Sequence, residues 1–143
     1  MYKIPVSVLV VIHTADLEVL LLERADHPGY WQSVTGSQDP GETLFDTAMR
    51  EIAEETGLNA ADYQLTGWHV ENRYEIYEEW RWRYGPDVRF NTEHVFGLRL
   101  PSAMPVTIST REHLNYIWLP WQQAARKVFS SSNAEAIMSL PTR

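Results

Sequence analysis

Gly36-Ser37-Gln38-Asp39-Pro40-Gly41-Glu42-Thr43-Leu44-Phe45-Asp46-Thr47-Ala48-Met49-Arg50-Glu51-Ile52-Ala53-Glu54-Glu55-Thr56-Gly57-Leu58 is the stretch on which both the fold and the chemistry turn. Its second half predicts a helix over Leu44–Thr56. Thr43 can cap it, with Asp46 three residues on to reciprocate, and Gly57 is a suitable stop. Leu44, Ala48 and Ile52 recur every fourth residue, with Phe45 and Met49 beside them, so one stripe is apolar. On the opposite face Glu51, Glu54 and Glu55 fall within about 100° of arc. Like charges so spaced cost a helix about 0.2–0.5 kcal/mol per pair. Arg50 can relieve part of this by pairing with Glu54, and a hard divalent cation can relieve the rest, since Mg²⁺ takes a few carboxylates, waters and phosphate oxygens. A three-glutamate face alone is more often simply solvated. Here Glu42 brings a further carboxylate to the same end, behind a loop whose Gly36 and Gly41 suit close approach of backbone to a ligand.

Working outward, Pro5–Ile12 and Glu18–Leu22 are β-branched and Leu-rich and read as two strands joined by a turn. Trp31–Thr35 reads as a short strand feeding the glycine loop. Residues 62–83 are aromatic, acidic and β-prone, Arg83–Asp87 marks a turn, and Asn91–Leu100 is another strand. A shorter strand is expected over Val106–Ser109, and helices over Trp121–Phe129 and Asn133–Leu140. No repeat or linker divides the chain, so a single domain over 1–143 is expected.

The chain has 143 residues, and its 19 acidic against 12 basic residues give a net charge of −7. That sign opposes passive capture of nucleic acid or of anionic lipid. With no cysteine, disulfides, thiolate metal sites and a cysteine nucleophile are excluded. The apolar run Val6–Ile12 is too short to span a bilayer. A cytoplasmic protein is expected.

Gly36, five residues, Glu42, seven residues, then Arg50-Glu51-Ile52-Ala53-Glu54-Glu55-Thr56-Gly57-Leu58 resembles the Nudix box at each of its defined positions, over 36–58. The resemblance implies an α/β (α+β) Nudix fold, a mixed β-sheet sandwiched between helices, with the box as loop–helix–loop. It also implies metal-assisted hydrolysis of a diphosphate linked to another group. Glu51, Glu54 and Glu55 match the family's metal-ligating glutamates, for Mg²⁺ or Mn²⁺, and Arg50 matches the arginine that orients them. Glu54 stays open between base, ligand and support. A carboxylate outside the box often completes such sites. The candidate is Glu112, as catalytic group or ligand.

Beyond the box, Lys3, Pro5–Ile12, Tyr30–Ser37, Arg83-Tyr84, Asn91–Glu93, Glu112–Leu114, Trp118-Leu119 and Ser132-Asn133 look like the bacterial dihydroneopterin triphosphate diphosphatases of folate biosynthesis. Ser37 is diagnostic, because many Nudix relatives carry a second glycine there. The segment from about Ala60 to Arg81 departs from those relatives, and 120–131 aligns loosely. The substrate contacts implied are Lys3, Arg24, Thr35, Tyr74, Glu75, Ile76, Tyr77 and Ser131. A pterin is a flat, hydrogen-bonding bicycle, for which Trp31, Tyr74, Tyr77 and Trp82 offer aromatic faces. The expected partner is a small pterin or nucleotide polyphosphate, with no nucleic-acid polymer and no membrane; the oligomeric state stays open. Hydrolysis of nucleoside triphosphates or dinucleoside polyphosphates is the alternative, ahead of a non-catalytic nucleotide-binding module.

Overall fold

A computed structural model describes residues 1–143. Its centre is β1 (Val6–Thr14), whose residues from Ser7 to Ile12 are all buried. A strand covered on both faces must be apolar on both, which is why this run does not alternate with polar residues. It pairs in parallel with β6 (Phe90–Leu100) and antiparallel with β4 (Val34–Ser37), and it meets β2 (Glu18–Arg24) at the His13–Val19 hairpin end. β2 carries β3 (Trp31–Gln32) and β7 (His113–Pro120), and β5 (Gln64–Glu75) closes the far edge against β6. The sheet is therefore seven-stranded and mixed.

Side-chain alternation along β1 divides the core into two layers. Val8, Val10 and Ile12, with Leu20, Leu22 and Leu98, meet Ala48 and Ile52 of α1 (Leu44–Thr56). Leu9 and Val11, with Val19, Leu21 and Val95, meet Ala124 of α2 (Trp121–Lys127) and Ala136 and Ile137 of α3 (Ser131–Met138). The sandwich of sheet between helices is the expected Nudix architecture. No helix is long and apolar enough to cross a membrane.

The central helix forms as its sequence predicts. Thr43 Oγ1 accepts from the Asp46 amide at 3.0 Å, Asp46 Oδ2 accepts from the Thr43 amide at 3.2 Å, and Gly57 ends the helix at φ 75°. That left-handed cap is cheap for glycine and costly for any residue with a Cβ.

Three expectations need correction. The strand expected over Val106–Ser109 does not form, because its apolar residues go into packing and not into a ladder. Met104, Val106 and Ile108 instead pack irregularly against the α1 layer, and the Thr107 amide donates to Thr56 O at 2.9 Å. β7 pairs along β2, where the sequence pattern predicts no element. Trp31–Thr35 is split in two at Ser33. The buried Asn133 side chain accepts from the Ser33 amide at 2.8 Å and donates to Ser33 Oγ at 2.9 Å, taking the place of ladder bonds.

Candidate active site

Helical spacing puts Glu51, Glu54 and Glu55 on one side of α1, but packing treats them differently. Glu51 and Glu55 turn inward, 8% and 2% exposed, whereas the Glu54 side chain is 52% exposed. Gly36 on β4 makes the inward turn possible, since a Cβ there would overlap the Glu51 carboxyl. Arg50 fixes the arrangement. Its Nε donates to Glu42 Oε2 at 2.7 Å, its Nη1 to Glu51 Oε1 at 2.6 Å and its Nη2 to Ser37 O at 2.9 Å. The i,i+4 contact with Glu54 that sequence spacing suggested is present but longer, at 3.4 Å. Glu42 is thus the main partner of Arg50, and the guanidinium holds its carboxyl down at about 2.

Glu51 and Glu55 press against each other in this buried space. Burial is the largest influence on both and raises both well above the ordinary carboxyl range. The facing Glu55 carboxyl raises Glu51 further, and Glu112 and Glu54 add to the negative field at Glu55. Glu55 Oε1 lies 2.8 Å from His113 Nε2, and its Oε2 is buried with no hydrogen-bond partner. Burial lowers the His113 pKa, which favours the neutral ring. Two buried carboxyls, one bare oxygen and a third carboxyl nearby are a donor set that a hard divalent cation fits. No three His, Asp or Glu side chains close into a cage.

Beside the pair opens a cavity of about 640 Å³, lined by Glu55, Glu112 and His113 at this end. Lys3 stands between the charges of Arg83 and Arg24 and those of Glu51 and Glu112; desolvation, then Arg83, lowers its pKa. Arg24 makes two 2.7 Å bonds to Asp26, donates to Gln32 Oε1 at 3.0 Å and lies 4.5 Å over the Trp80 ring. One wall is aromatic. Tyr77 and Trp80 are 5.2 Å apart, Phe129 lies 6.2–6.3 Å from each, and Tyr30 stacks on Phe129 at 4.6 Å. Polar side chains of β1, β5, β6 and α3 complete the chamber, among them the carboxyls of Glu75, Glu93 and Glu135 and the guanidinium of Arg73.

Lys3, Arg24, Thr35, Tyr74, Glu75, Ile76, Tyr77 and Ser131 all line this cavity, together with Glu55 and Glu112. Arg50 and Glu51 stand behind its wall, and Glu54 faces outward. Thr35 Oγ1 donates to Val8 O at 3.0 Å, so its hydroxyl proton is engaged by backbone. Of the four aromatic residues singled out, Tyr74 and Tyr77 reach the cavity. Trp82 is 73% exposed and borders a separate small hollow. Trp31 packs into the α2–α3 layer with Lys127 over its ring at 5.0 Å. Sequence reasoning did not single out His113, Trp80 or Phe129 for the site. Only His113 had a local signal, its place next to Glu112.

A family model described as the NUDIX domain matches residues 3–140. The chain is 45% identical over 139 residues to the dihydroneopterin triphosphate diphosphatase of Escherichia coli (strain K12), covering 95% of this chain and 91% of that protein. It is 37% identical to the protein of that name from Haemophilus influenzae, covering 95% and 87%. The solved structure of the E. coli dihydroneopterin triphosphate pyrophosphohydrolase superposes with a TM-score of 0.91 at 43% identity, covering 97% of this chain and 96% of that one.

Proposed function

This chain belongs to the Nudix family and is a Nudix hydrolase, and from that premise we propose that it hydrolyses 7,8-dihydroneopterin triphosphate. Water adds across a phosphoanhydride bond, so that dihydroneopterin monophosphate and diphosphate leave. The observation that carries the reading is the continuity of one cavity. It runs from Glu55 and Glu112, past Lys3 and Arg24, to the wall of Tyr77, Trp80 and Phe129. Carboxylates suited to a cation, cations suited to a polyphosphate and aromatic faces suited to a bicycle thereby share one cavity.

Glu51, Glu55 and Glu112 would hold the divalent cation, Mg²⁺ or Mn²⁺, with Glu54 at the outer edge. When bound, such an ion neutralises charge on phosphoryl oxygens and lowers the pKa of a water. The chain's own groups do the remaining work. Arg50 fixes Glu51, His113 fixes Glu55, and Glu112 or Glu54 accepts the proton that water gives up. Lys3 and Arg24 bind phosphate oxygens, Arg24 with paired donors. The reading carries with it a cytoplasmic setting, one domain over 1–143 and a small molecule, not a nucleic-acid polymer, as substrate.

An assay with Mg²⁺, comparing this substrate with dATP and an oxidised guanine nucleotide and separating diphosphate from orthophosphate, tests the reading. Diphosphate release with a kcat/KM at least about tenfold higher for the pterin, worth about 1.4 kcal/mol, is expected. Preference for a nucleotide would overturn the substrate and keep the chemistry. Glu55→Gln is expected to abolish most metal-dependent turnover with the fold intact, and undiminished turnover would remove Glu55 from the ligand set.

A further inference from the structure

Glu93 lies on β6 and lines the cavity, yet it takes no part in the chemistry above. It is 4% exposed and forms no ion pair. Two protein donors reach it, Ser132 Oγ at 2.9 Å and Asn72 Nδ2 at 3.4 Å, and both fall on Oε1. No protein donor reaches Oε2. Two residues earlier on the same face of β6, Asn91 is 1% exposed. Its Nδ2 donates to Ser7 Oγ at 2.7 Å and Tyr74 Oη at 3.0 Å, while its Oδ1 has no partner. At this end of the cavity Glu93 Oε2 is thus an acceptor that no protein donor reaches. A buried carboxyl with no cation beside it is costly and is retained where something supplies the missing hydrogens. Burial raises its pKa against the opposing pull of Ser132 and Asn72, which fits a group still short of donors.

We infer that Glu93 is a specificity residue that reads the 2-amino-4-oxopyrimidine edge shared by pterins and guanine, accepting hydrogen bonds from the ring N–H and the exocyclic amine. That edge offers two adjacent N–H donors, which two carboxylate oxygens match. An adenine edge offers one donor and one acceptor, so its ring nitrogen would face a carboxylate oxygen with no hydrogen between them. The inference rests on the proposed function in taking this cavity as the substrate chamber, but it extends to any substrate with the same edge.

The test compares kcat/KM for 7,8-dihydroneopterin triphosphate, dGTP, dITP and dATP in wild type and in Glu93→Gln. In wild type, dITP lacks only the 2-amino group, and its kcat/KM is expected to fall about tenfold or more below that of dGTP. In Glu93→Gln, whose amide offers one acceptor and one donor, the dGTP-to-dITP ratio is expected to shrink to within about threefold. The dGTP-to-dATP ratio should fall at least about tenfold. A wild-type enzyme that does not separate dGTP from dITP overturns the assignment without any variant having to fold. So does a variant that slows all four substrates in proportion. If the pterin is not hydrolysed while the nucleotide ratios behave as stated, the proposed substrate fails and Glu93 stands; the reverse result separates them the other way. Should no triphosphate turn over, the dGMP-to-dIMP binding ratio, read from the fluorescence of Trp80 in the cavity wall, gives the same decision.

Discussion

His113 Nε2 stands 2.8 Å from Glu55 Oε1, each side chain no more than 4% exposed. The two residues come from distant parts of the chain, one from the last turns of α1 and the other from the first position of β7. Their contact ties the carboxylate helix to the sheet edge that carries Glu112. It also sets the direction of Glu55, because an oxygen held by the imidazole leaves the other to face whatever cation enters.

His113→Ala should therefore loosen the site without emptying it. Loss of a partner that orients a ligand typically costs 10–100-fold in metal affinity or activity. The Mg²⁺ concentration for half-maximal turnover is expected to rise by about tenfold or more, with the residual rate at saturating metal closer to wild type. A melting-temperature loss with an unchanged Mg²⁺ titration would make the contact purely structural.

Gly36→Ala is expected to act on Glu51, because the added Cβ would occupy the space of that carboxyl. Displacing Glu51 also breaks its 2.6 Å bond from Arg50. A fall in kcat of at least about tenfold is the expected result, since small misplacements of catalytic groups can cost about a hundredfold. Steady-state kinetics beside a thermal melt check it.

Glu112→Ala should lower kcat more than it raises KM, as for a group whose contribution is made in the transition state. The residue is exposed on the segment leading into β7, and Ala25 N donates to its carbonyl at 2.9 Å. The substitution spares that backbone bond, so the fold is expected to hold. An unchanged kcat would leave Glu112 as an ordinary surface carboxylate.

Asp26 supplies a pH signature. Hydrogen bonds from Arg24, followed by its charge and by Arg83, hold the Asp26 carboxyl at about 2 against an ordinary 3.8. Between those values the unfolded chain binds more protons than the folded one, so stability rises with pH through that window. The contribution is complete above about pH 4 and is lost as pH falls toward 2. The Tm difference between wild type and Asp26→Asn should accordingly be largest near pH 5 and close on acidification. Melts at stepped pH measure it, and a constant difference would contradict the ion-pair assignment.

Much of this fold is legible in local sequence. The Thr43–Asp46 capping pair, the Leu44/Ala48/Ile52 stripe and Gly57 fixed α1 to its ends, because caps and periodicity act within a few residues of themselves. Segment β1 was readable because its run of buried residues has no alternation. By contrast β7 has Leu114, Asn115 and Tyr116 exposed and Pro120 at its end, so its pattern is faint. It becomes a strand because β2 offers an unpaired edge. The failed strand at 106–109 is the same lesson reversed: its residues are strand-forming, but Val106 and Ile108 are drawn into packing against the α1 layer.

For the site, sequence alone determined which kind of chemistry is present and on which helix it is mounted. Spacing along a helix fixes angular neighbours, and so it could put three glutamates and an arginine together. It could not say how deep each side chain sits. Depth was decided by Gly36 approaching from β4, which draws Glu51 inward, and by His113 arriving from β7 to meet Glu55, while Glu54 stays in solvent. The same holds for the chamber: Trp80 and Phe129 enter it and Trp31 and Trp82 do not, and Glu93 faces it from β6. Those placements depend on contacts between residues far apart in the chain, formed only when the two layers close on the sheet.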